Sequence, residues 1–248
     1  MANLVNKTAL VTGGGTGIGR AIAKRMAKDG ANVVIIGRNE ETLEESAEQH
    51  ENITYIVADV LKSEDIARVL TEIQEEFGKL DIVVNNAGIA PMTPIEKINL
   101  ADFDRTFALN VRAVIDVTAQ AIPYLKASKG NIVNITSGLV HNPMPENGIY
   151  TASKAAVLSL TRTWAKELAP YGIRVNSVSA GATNTPIHNA LGFDEEQKEA
   201  YRQAVSQAVP LGRFAEPDEI SPVVAFLASE HARYVTGADY CVDGGFGI

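Results

Sequence analysis

Short apolar runs alternate with amphipathic stretches through the first 135 residues of the chain. Thr8–Val11, Asn32–Ile36, Thr54–Val57, Ile82–Val84 and Ile132–Ile135 are apolar or β-branched almost throughout. Inside and outside residues do not alternate along them, which predicts parallel strands covered on both faces. Between these runs Ile18, Ile22 and Met26, and then Ile66, Val69, Leu70 and Ile73, recur at helical spacing. Gly30 and Gly78 stand where helix C-caps fall. Strand–helix–strand alternation of this kind predicts right-handed crossovers and a doubly wound α/β sheet. The rhythm resumes with a helix from about Tyr150 to Leu168, a strand at Arg174–Val178 and a last strand at Tyr240–Val242. No linker, low-complexity tract or repeat divides the chain, so one domain spanning residues 1–248 is expected. Thr183–Gly212 breaks the pattern. Its acidic segment Phe193–Val209 predicts one or two helices, and an excursion of this length is expected to be a lid over a site.

Composition narrows the function classes. The 248 residues are 46% hydrophobic and 21% charged, the balance of a globular protein with a sizeable core. Against 30 Asp+Glu stand 22 Lys+Arg, a net charge of −8, which argues against nucleic acid as a partner because phosphate neutralisation needs a basic surface. No apolar run approaches the roughly 18 residues of a membrane span, and the amino terminus lacks the basic and cleavable parts of a signal peptide, so a cytoplasmic protein without a membrane partner is expected. The single cysteine, Cys241, cannot form an intrachain disulfide. Four scattered histidines show no metal-ligand spacing, so no metal is expected.

Chemistry concentrates at two places. The first strand ends in Thr12-Gly13-Gly14-Gly15-Thr16-Gly17-Ile18-Gly19 and then enters a helix. Glycines there permit a tight turn and close approach to a pyrophosphate, while the helix amino terminus offers free N–H groups and a positive dipole end. The second place is Tyr150-Thr151-Ala152-Ser153-Lys154. A Tyr and a Lys at i and i+4 share a helical face. At ~5 Å and an effective dielectric of ~20 their attraction is about 3 kcal/mol, which predicts a phenol drawn from about 10 toward 8. That range suits proton transfer.

Together with Ser137, thirteen residues before Tyr150, with Asn85-Asn86-Ala87-Gly88 after the fourth strand and with Asn110, these motifs resemble the short-chain dehydrogenase/reductase family. The resemblance runs from residue 8 to residue 246. It implies a Rossmann-type, seven-stranded parallel sheet with helices on both faces. It also implies roles: Tyr150 as proton donor or acceptor, Lys154 as the residue that holds the nicotinamide ribose and lowers the phenol pKa, Ser137 as hydrogen-bond partner of the reacting oxygen, and Asn110 as support for a water relay. For the cofactor it implies Gly13, Gly15, Thr16, Gly17, Ile18 and Gly19 at the phosphates, Asp59 and Val60 at adenine, Asn86, Ala87 and Gly88 along the adenosine and ribose, and Thr183 and Thr185 at the carboxamide. The family's Pro-Gly after strand six is Ala180-Gly181 here.

The end of strand two selects the cofactor. It reads Ile35-Ile36-Gly37-Arg38-Asn39, with no acid where NAD-binding relatives place one, and Arg38 can present a charge-assisted fork to a 2′-phosphate. NADP(H) is therefore expected over NAD(H). The expected reaction interconverts a ketone and a secondary alcohol on a small or cyclic, steroid-like carbonyl. Two alternatives stand beside it: a 3-oxoacyl-[acyl-carrier-protein] reductase, and a non-catalytic NADP(H)-sensing regulator. The first is weakened because the arginines such reductases use to grip the carrier correspond to Ser128, beside Lys129, and to Tyr171. Met92, Leu139, Val140, Met144 and Ile187 are expected to line an apolar pocket. His141 reads more readily as a loop residue than as a substrate contact. Asp194, Glu195, Glu196 and Glu199 are expected on the wet face of a lid helix. Apolar surface around Val223–Leu227 and Tyr240–Val242 predicts a homotetramer.

Overall fold

In a computed structural model, residues 2–187 and 193–248 are described. Seven strands form one parallel sheet: β1 (Thr8–Thr12), β2 (Asn32–Gly37), β3 (Ile53–Val57), β4 (Ile82–Asn85), β5 (Asn131–Ser137), β6 (Arg174–Ala180) and β7 (Asp239–Val242). Their order is β3-β2-β1-β4-β5-β6-β7. Every run read from the sequence as a strand is one, extended by a residue or two at its ends. The crossovers carry helices α1 (Gly17–Lys28), α2 (Glu40–Ala47), α3 (Ser63–Phe77), α4 (Leu100–Phe107), α5 (Ala113–Ser128), α6 (Gly148–Leu168), α7 (Glu195–Ala208) and α8 (Pro217–Ala228).

The two faces of the sheet bury separate cores. Val11, Val33, Ile35, Val84, Val133 and Val178 pack on one side against Ile22 and Met26 of α1 and Ile220, Val224 and Leu227 of α8. Leu10, Val34, Ile36, Val83 and Ile132 pack on the other against Ile66, Val69 and Ile73 of α3 and Val117, Ala121 and Leu125 of α5. Full burial of each such side chain contributes about 1.5–3 kcal/mol, which is why runs without polar alternation settle at the centre of a covered sheet. Gly78 ends α3 in the left-handed conformation at φ 70°, as its position predicts. Gly30, at φ 98°, lies one residue beyond the cap of α1.

The residues expected between subunits divide between two environments. Val224, Ala225 and Leu227 of α8 are fully buried against α1 and the sheet, whereas Val223 and Phe226 on the same helix and Tyr240 and Val242 on β7 are half-buried and Cys241 is exposed. A period of 3.6 cannot tell a helix packed under a sheet edge from one awaiting a partner. Exposed apolar side chains sit elsewhere: Ile95, Leu100, Phe103 and Ile115 lie before and along α4 and α5.

The strand order reverses at β1 and β4, and ligands of doubly wound sheets bind outside the carboxyl ends of the strands at that switch point. The glycine turn follows β1 and Asn86 follows β4, so the topology brings two separate sequence motifs to one crevice. In the 183–212 segment, Thr183 bridges Ala215 and a single helix, α7, occupies most of the acidic stretch. Residues 188–192, which fall inside the expected lid, lie outside the described residues.

Candidate active site

The turn after β1 can be built only from glycine at its tightest points. Gly13 adopts φ 66° and Gly17 φ 53°. A Cβ on Gly19 would lie 2.2 Å from the Gly13 carbonyl oxygen, so the first turn of α1 rests directly on the loop. The Arg20 guanidinium donates to the Gly15 carbonyl at 2.6 and 2.9 Å, and the Ser46 hydroxyl donates to it at 2.9 Å. Those bonds hold one loop carbonyl away from the crevice. Thr16 caps α1 without a side-chain hydrogen bond, and no acid stands in the first turn. Free N–H groups and a dipole end without a competing carboxylate suit a pyrophosphate. The cradle thus fits a dinucleotide.

Asn86 braces this turn from the far side. Its amide donates to the carbonyls of Thr12 at 3.0 Å and Gly13 at 3.1 Å, and the Thr12 hydroxyl accepts from the N–H groups of Asn86 and Ala87 at 3.0 Å each. The Asn86 side chain is therefore spent on the loop, while Ala87 and Gly88 continue along the crevice. A Cβ on Gly88 would stand 3.1 Å from Asn110 Oδ1 and 3.5 Å from Lys154 Nζ, which ties this segment to the second motif. Asn110 sits in a π-turn, Ala108–Arg112, between α4 and α5, a local widening of the helix that often marks functional positions. It donates to Ser153 Oγ at 3.0 Å, and Ser153 donates to the Tyr150 carbonyl at 2.6 Å. Neither Ser153 nor Thr12 was marked by the sequence. Ser153 lies inside the Tyr–Lys spacing and Thr12 just before the glycines, so position beside a motif was the only signal.

Ser137 ends β5 and Tyr150 enters α6, and the Ser137 hydroxyl stands close enough to the phenol to act on its ionisation. Lys154 lies one turn along the same face, with its Nζ 6.0 Å from the centre of the Tyr150 ring. That ammonium donates to the Ile135 carbonyl at 2.8 Å, not to the phenol. Burial raises the Tyr150 phenol above its usual value; the Ser137 hydroxyl pulls the other way, and Tyr201 adds a smaller push upward. Burial also depresses Lys154 to about 8. The expected drop of the phenol toward 8 is thus reversed, because desolvation acts on both groups and the lysine points at a carbonyl.

The remaining residues expected at the cofactor have these surroundings. Arg38 is exposed at the end of β2 and makes no ion pair among the described residues, and Gly37 leaves room beside it. Val60 is buried, and Asp59 accepts from the Leu61 N–H at 3.0 Å at the mouth of β3. Thr183 is buried beside Gly181, and the Thr185 methyl faces Gly17, with 3.0 Å to where a Cβ would stand. The missing proline before Gly181 is offset by packing: a Cβ on Gly181 would lie 2.5 Å from Asp243 Cα. Leu139 and Met144 join an apolar wall made by Val205 on α7 and Val209 at its end with Phe214 and Phe246, and Tyr201 borders it between Phe193 and Phe214. Met92, Val140 and Ile187 are half-buried outside that cluster. Asp194 caps α7, and Glu195, Glu196 and Glu199 are exposed on it. His141 does not join the wall; it pairs with Asp239 at 2.7 Å. No helix among the described residues is long and apolar enough to cross a membrane.

The comparisons agree with this geometry. The profile described as "Enoyl-(Acyl carrier protein) reductase" matches residues 13–247. The 3-oxoacyl-[acyl-carrier-protein] reductase FabG of Thermotoga maritima is 36% identical over 252 aligned positions, covering 99% of each chain. That of Staphylococcus epidermidis is 36% identical, covering 97% of this chain and 99% of its own. Among solved structures, a 3-ketoacyl-(acyl-carrier-protein) reductase from Brucella melitensis complexed with NADH superposes with a TM-score of 0.92 at 36% identity, covering 99% of this chain and 100% of that one. A short-chain type dehydrogenase/reductase from Mycobacterium marinum does so at 0.91 and 32%, covering 98% and 96%. With the glycine cradle and the Ser137, Tyr150 and Lys154 group in place, the chain is an oxidoreductase of CH–OH and C=O groups that uses a nicotinamide cofactor, and it belongs to the short-chain dehydrogenase/reductase family.

Proposed function

We propose that this protein reduces 3-oxoacyl thioesters to 3-hydroxyacyl thioesters with NADPH. The observation that carries the reading is the near full-length, 36% identity to 3-oxoacyl-[acyl-carrier-protein] reductases in a chain that keeps Ser137, Tyr150 and Lys154 together. It favours an acyl substrate over the cyclic or steroid-like ketone expected from the sequence. The two positions where arginines were expected are Ser128 and Tyr171, but lysines stand beside them. Exposed Lys126 places its ammonium 3.6 Å from the centre of the Tyr171 ring, and the Lys129 side chain lies against Gly172. Both offer positive charge to an acidic carrier.

Bound NADPH supplies the hydride. The hydroxyls of Ser137 and Tyr150 receive the carbonyl oxygen, and Tyr150 gives its proton to that oxygen as negative charge develops there. A phenol raised by burial is protonated at neutral pH, the form that a proton donor needs. Lys154, one turn away, holds the ribose beside Tyr150, and Asn110 keeps Ser153 and the Ile89 backbone in place behind it. The glycine turn holds the pyrophosphate, Asp59 and Val60 the adenine, and Thr183 and Thr185 the carboxamide. Exposed Arg38, with Gly37 in place of an acid, favours the 2′-phosphate of NADP(H). The reading carries with it a cytoplasmic location and a homotetramer assembled through the exposed apolar residues before and along α4 and α5.

Steady-state assays with NADPH and NADH in parallel test it, using a 3-oxoacyl thioester on acyl carrier protein and on coenzyme A, the matching 2-enoyl thioester, and a cyclic ketone. The reading predicts the highest kcat/KM with the 3-oxoacyl substrates and NADPH. Preference for the enoyl thioester or the cyclic ketone overturns the substrate, and tight NADPH binding without turnover on any of them supports a sensing regulator.

A further inference from the structure

We propose that His141, Asp239 and Cys241 form a binding site for a zinc-class divalent cation at the β7 edge of the sheet. These residues take no part in the Ser137, Tyr150 and Lys154 group. Asp239 and Cys241 are two residues apart on β7, so their side chains share one face. His141 reaches them from the connection between β5 and α6, 98 positions earlier. One nitrogen, one carboxylate oxygen and one sulfur lie within 4.8 Å of one another.

The donor set and its support both point to a cation. Zinc takes imidazole, carboxylate and thiolate ligands at about 2.0–2.3 Å in a tetrahedron, whose edges are then about 3.3–3.8 Å. The 2.7 Å separation of His141 Nε2 and Asp239 Oδ2 and the 4.8 Å outer limit bracket those edges. Modest side-chain shifts close the set, and water takes the fourth corner. The Asp239 carboxylate is nearly buried and already oriented: Ser177 donates to Oδ1 at 2.6 Å and Ser179 donates to Oδ2 at 2.8 Å. Ligating carboxylates are held by an outer layer of hydrogen bonds of this kind. His141 and Cys241 are exposed, which gives a cation its path in. On binding, the Cys241 thiol releases its proton to solvent as the sulfur–metal bond forms, and two negative ligands balance the charge of the ion.

A hydrolytic Ser179–His141–Asp239 triad does not fit. One imidazole nitrogen, Nε2, faces both partners, at 2.7 Å to Asp239 and 3.4 Å to Ser179, and the serine donates to the carboxylate rather than to the imidazole. The site also leaves the other face of β7 free for subunit contacts, where Tyr240 packs edge-on against Phe226. A bound cation would fasten the connection that begins at Ser137 to the last strand.

Titration of the intact protein with Co2+, followed by displacement with Zn2+, tests the site without reference to turnover. The expected result is one Co2+ per chain, with a thiolate-to-cobalt charge-transfer band and tetrahedral d–d bands that Zn2+ abolishes and Mg2+ does not. Cys241→Ser should remove the charge-transfer band, and Cys241→Ser and His141→Ala should each weaken binding by about tenfold or more. Both changes lie at exposed side chains, and circular dichroism checks that each variant is folded. Absence of stoichiometric Co2+ binding, a wild-type complex without the charge-transfer band, or wild-type affinity in the double variant overturns the proposal.

Discussion

Asn110 and Ile89 close a two-way hydrogen bond: the Asn110 amide donates to the Ile89 carbonyl at 2.9 Å, and its oxygen accepts from the Ile89 N–H at 3.0 Å. The same amide reaches Ser153, so one buried side chain ties the segment after β4 to the helix that carries Tyr150 and Lys154. Asn110→Leu keeps the volume and removes every one of these bonds. Each buried group left unpaired costs about 1–3 kcal/mol, so the variant should unfold at clearly lower urea concentration. Its kcat should fall as well, because the segment and the helix lose their common anchor. Urea titration and steady-state kinetics read the two effects.

Two glycines separate a required close approach from a permissive position. Gly19→Ala forces a Cβ against the Gly13 carbonyl, and the loop must open to admit it. Overpacking of this kind costs about 1–3 kcal/mol, and the displaced loop should bind either dinucleotide at least about tenfold more weakly. Gly148, the first residue of α6, has nothing within 4 Å of where a Cβ would stand. Gly148→Ala should be neutral or stabilising by up to about 1 kcal/mol. Thermal unfolding and cofactor fluorescence titrations on the pair measure both.

Burial of Lys154 gives stability a pH dependence with a defined sign. The lysine titrates at about 8 in the fold against 10.5 in the unfolded chain. Between those values the unfolded state binds more protons, so the contribution of Lys154 is present above 10.5 and is lost as pH falls to about 8. Comparison with Lys154→Met cancels the tyrosines, whose raised values act in the opposite direction at high pH. The stability difference should shift toward wild type by at most about 3 kcal/mol from pH 8 to 10.5. Chemical denaturation of both proteins at four or five pH values shows it, and a constant difference would mean that the ammonium is not desolvated.

The proposed preference for NADP(H) rests on Arg38. A bidentate guanidinium–phosphate pair partly open to water contributes about 1.5–3 kcal/mol, so Arg38→Ala should weaken NADP(H) binding roughly ten- to a hundredfold and leave NAD(H) little changed. Gly37→Asp is sterically acceptable, since a Cβ there meets only Leu43 at 3.5 Å. Its carboxylate should repel the 2′-phosphate and reverse the preference. Titrating both cofactors against the three proteins decides the matter.

The sheet was legible because central strands such as Val33–Ile36 and Ile82–Val84 carry apolar side chains on both faces, a composition that few other environments accept. The glycine turn was legible because Gly13 and Gly19 answer local steric demands that only glycine meets. What stayed hidden depends on contacts remote in sequence. Spacing alone does not divide α8: nothing in it reveals that α1 covers Val224 and Leu227 while Val223 and Phe226 stay half-buried. The phenol shift was misjudged because the i, i+4 spacing places Lys154 near Tyr150 but says nothing of the burial that raises the phenol, or of the Ile135 carbonyl that receives the ammonium. His141 found its partner, Asp239, across most of the carboxyl-terminal half.

The account stands on Tyr150 as the proton donor. Tyr150→Phe removes one hydroxyl from a half-buried ring and leaves the glycine turn, Arg38 and Lys154 untouched. The decisive measurement is NADPH oxidation by this variant on the 3-oxoacyl thioester that wild type turns over best, with NADPH affinity titrated on the same preparation. A kcat lower by about 10²–10⁴-fold or more, with affinity within about twofold of wild type, is the predicted result, since general acid catalysis contributes on that order. A variant that keeps most of the wild-type kcat would contradict it.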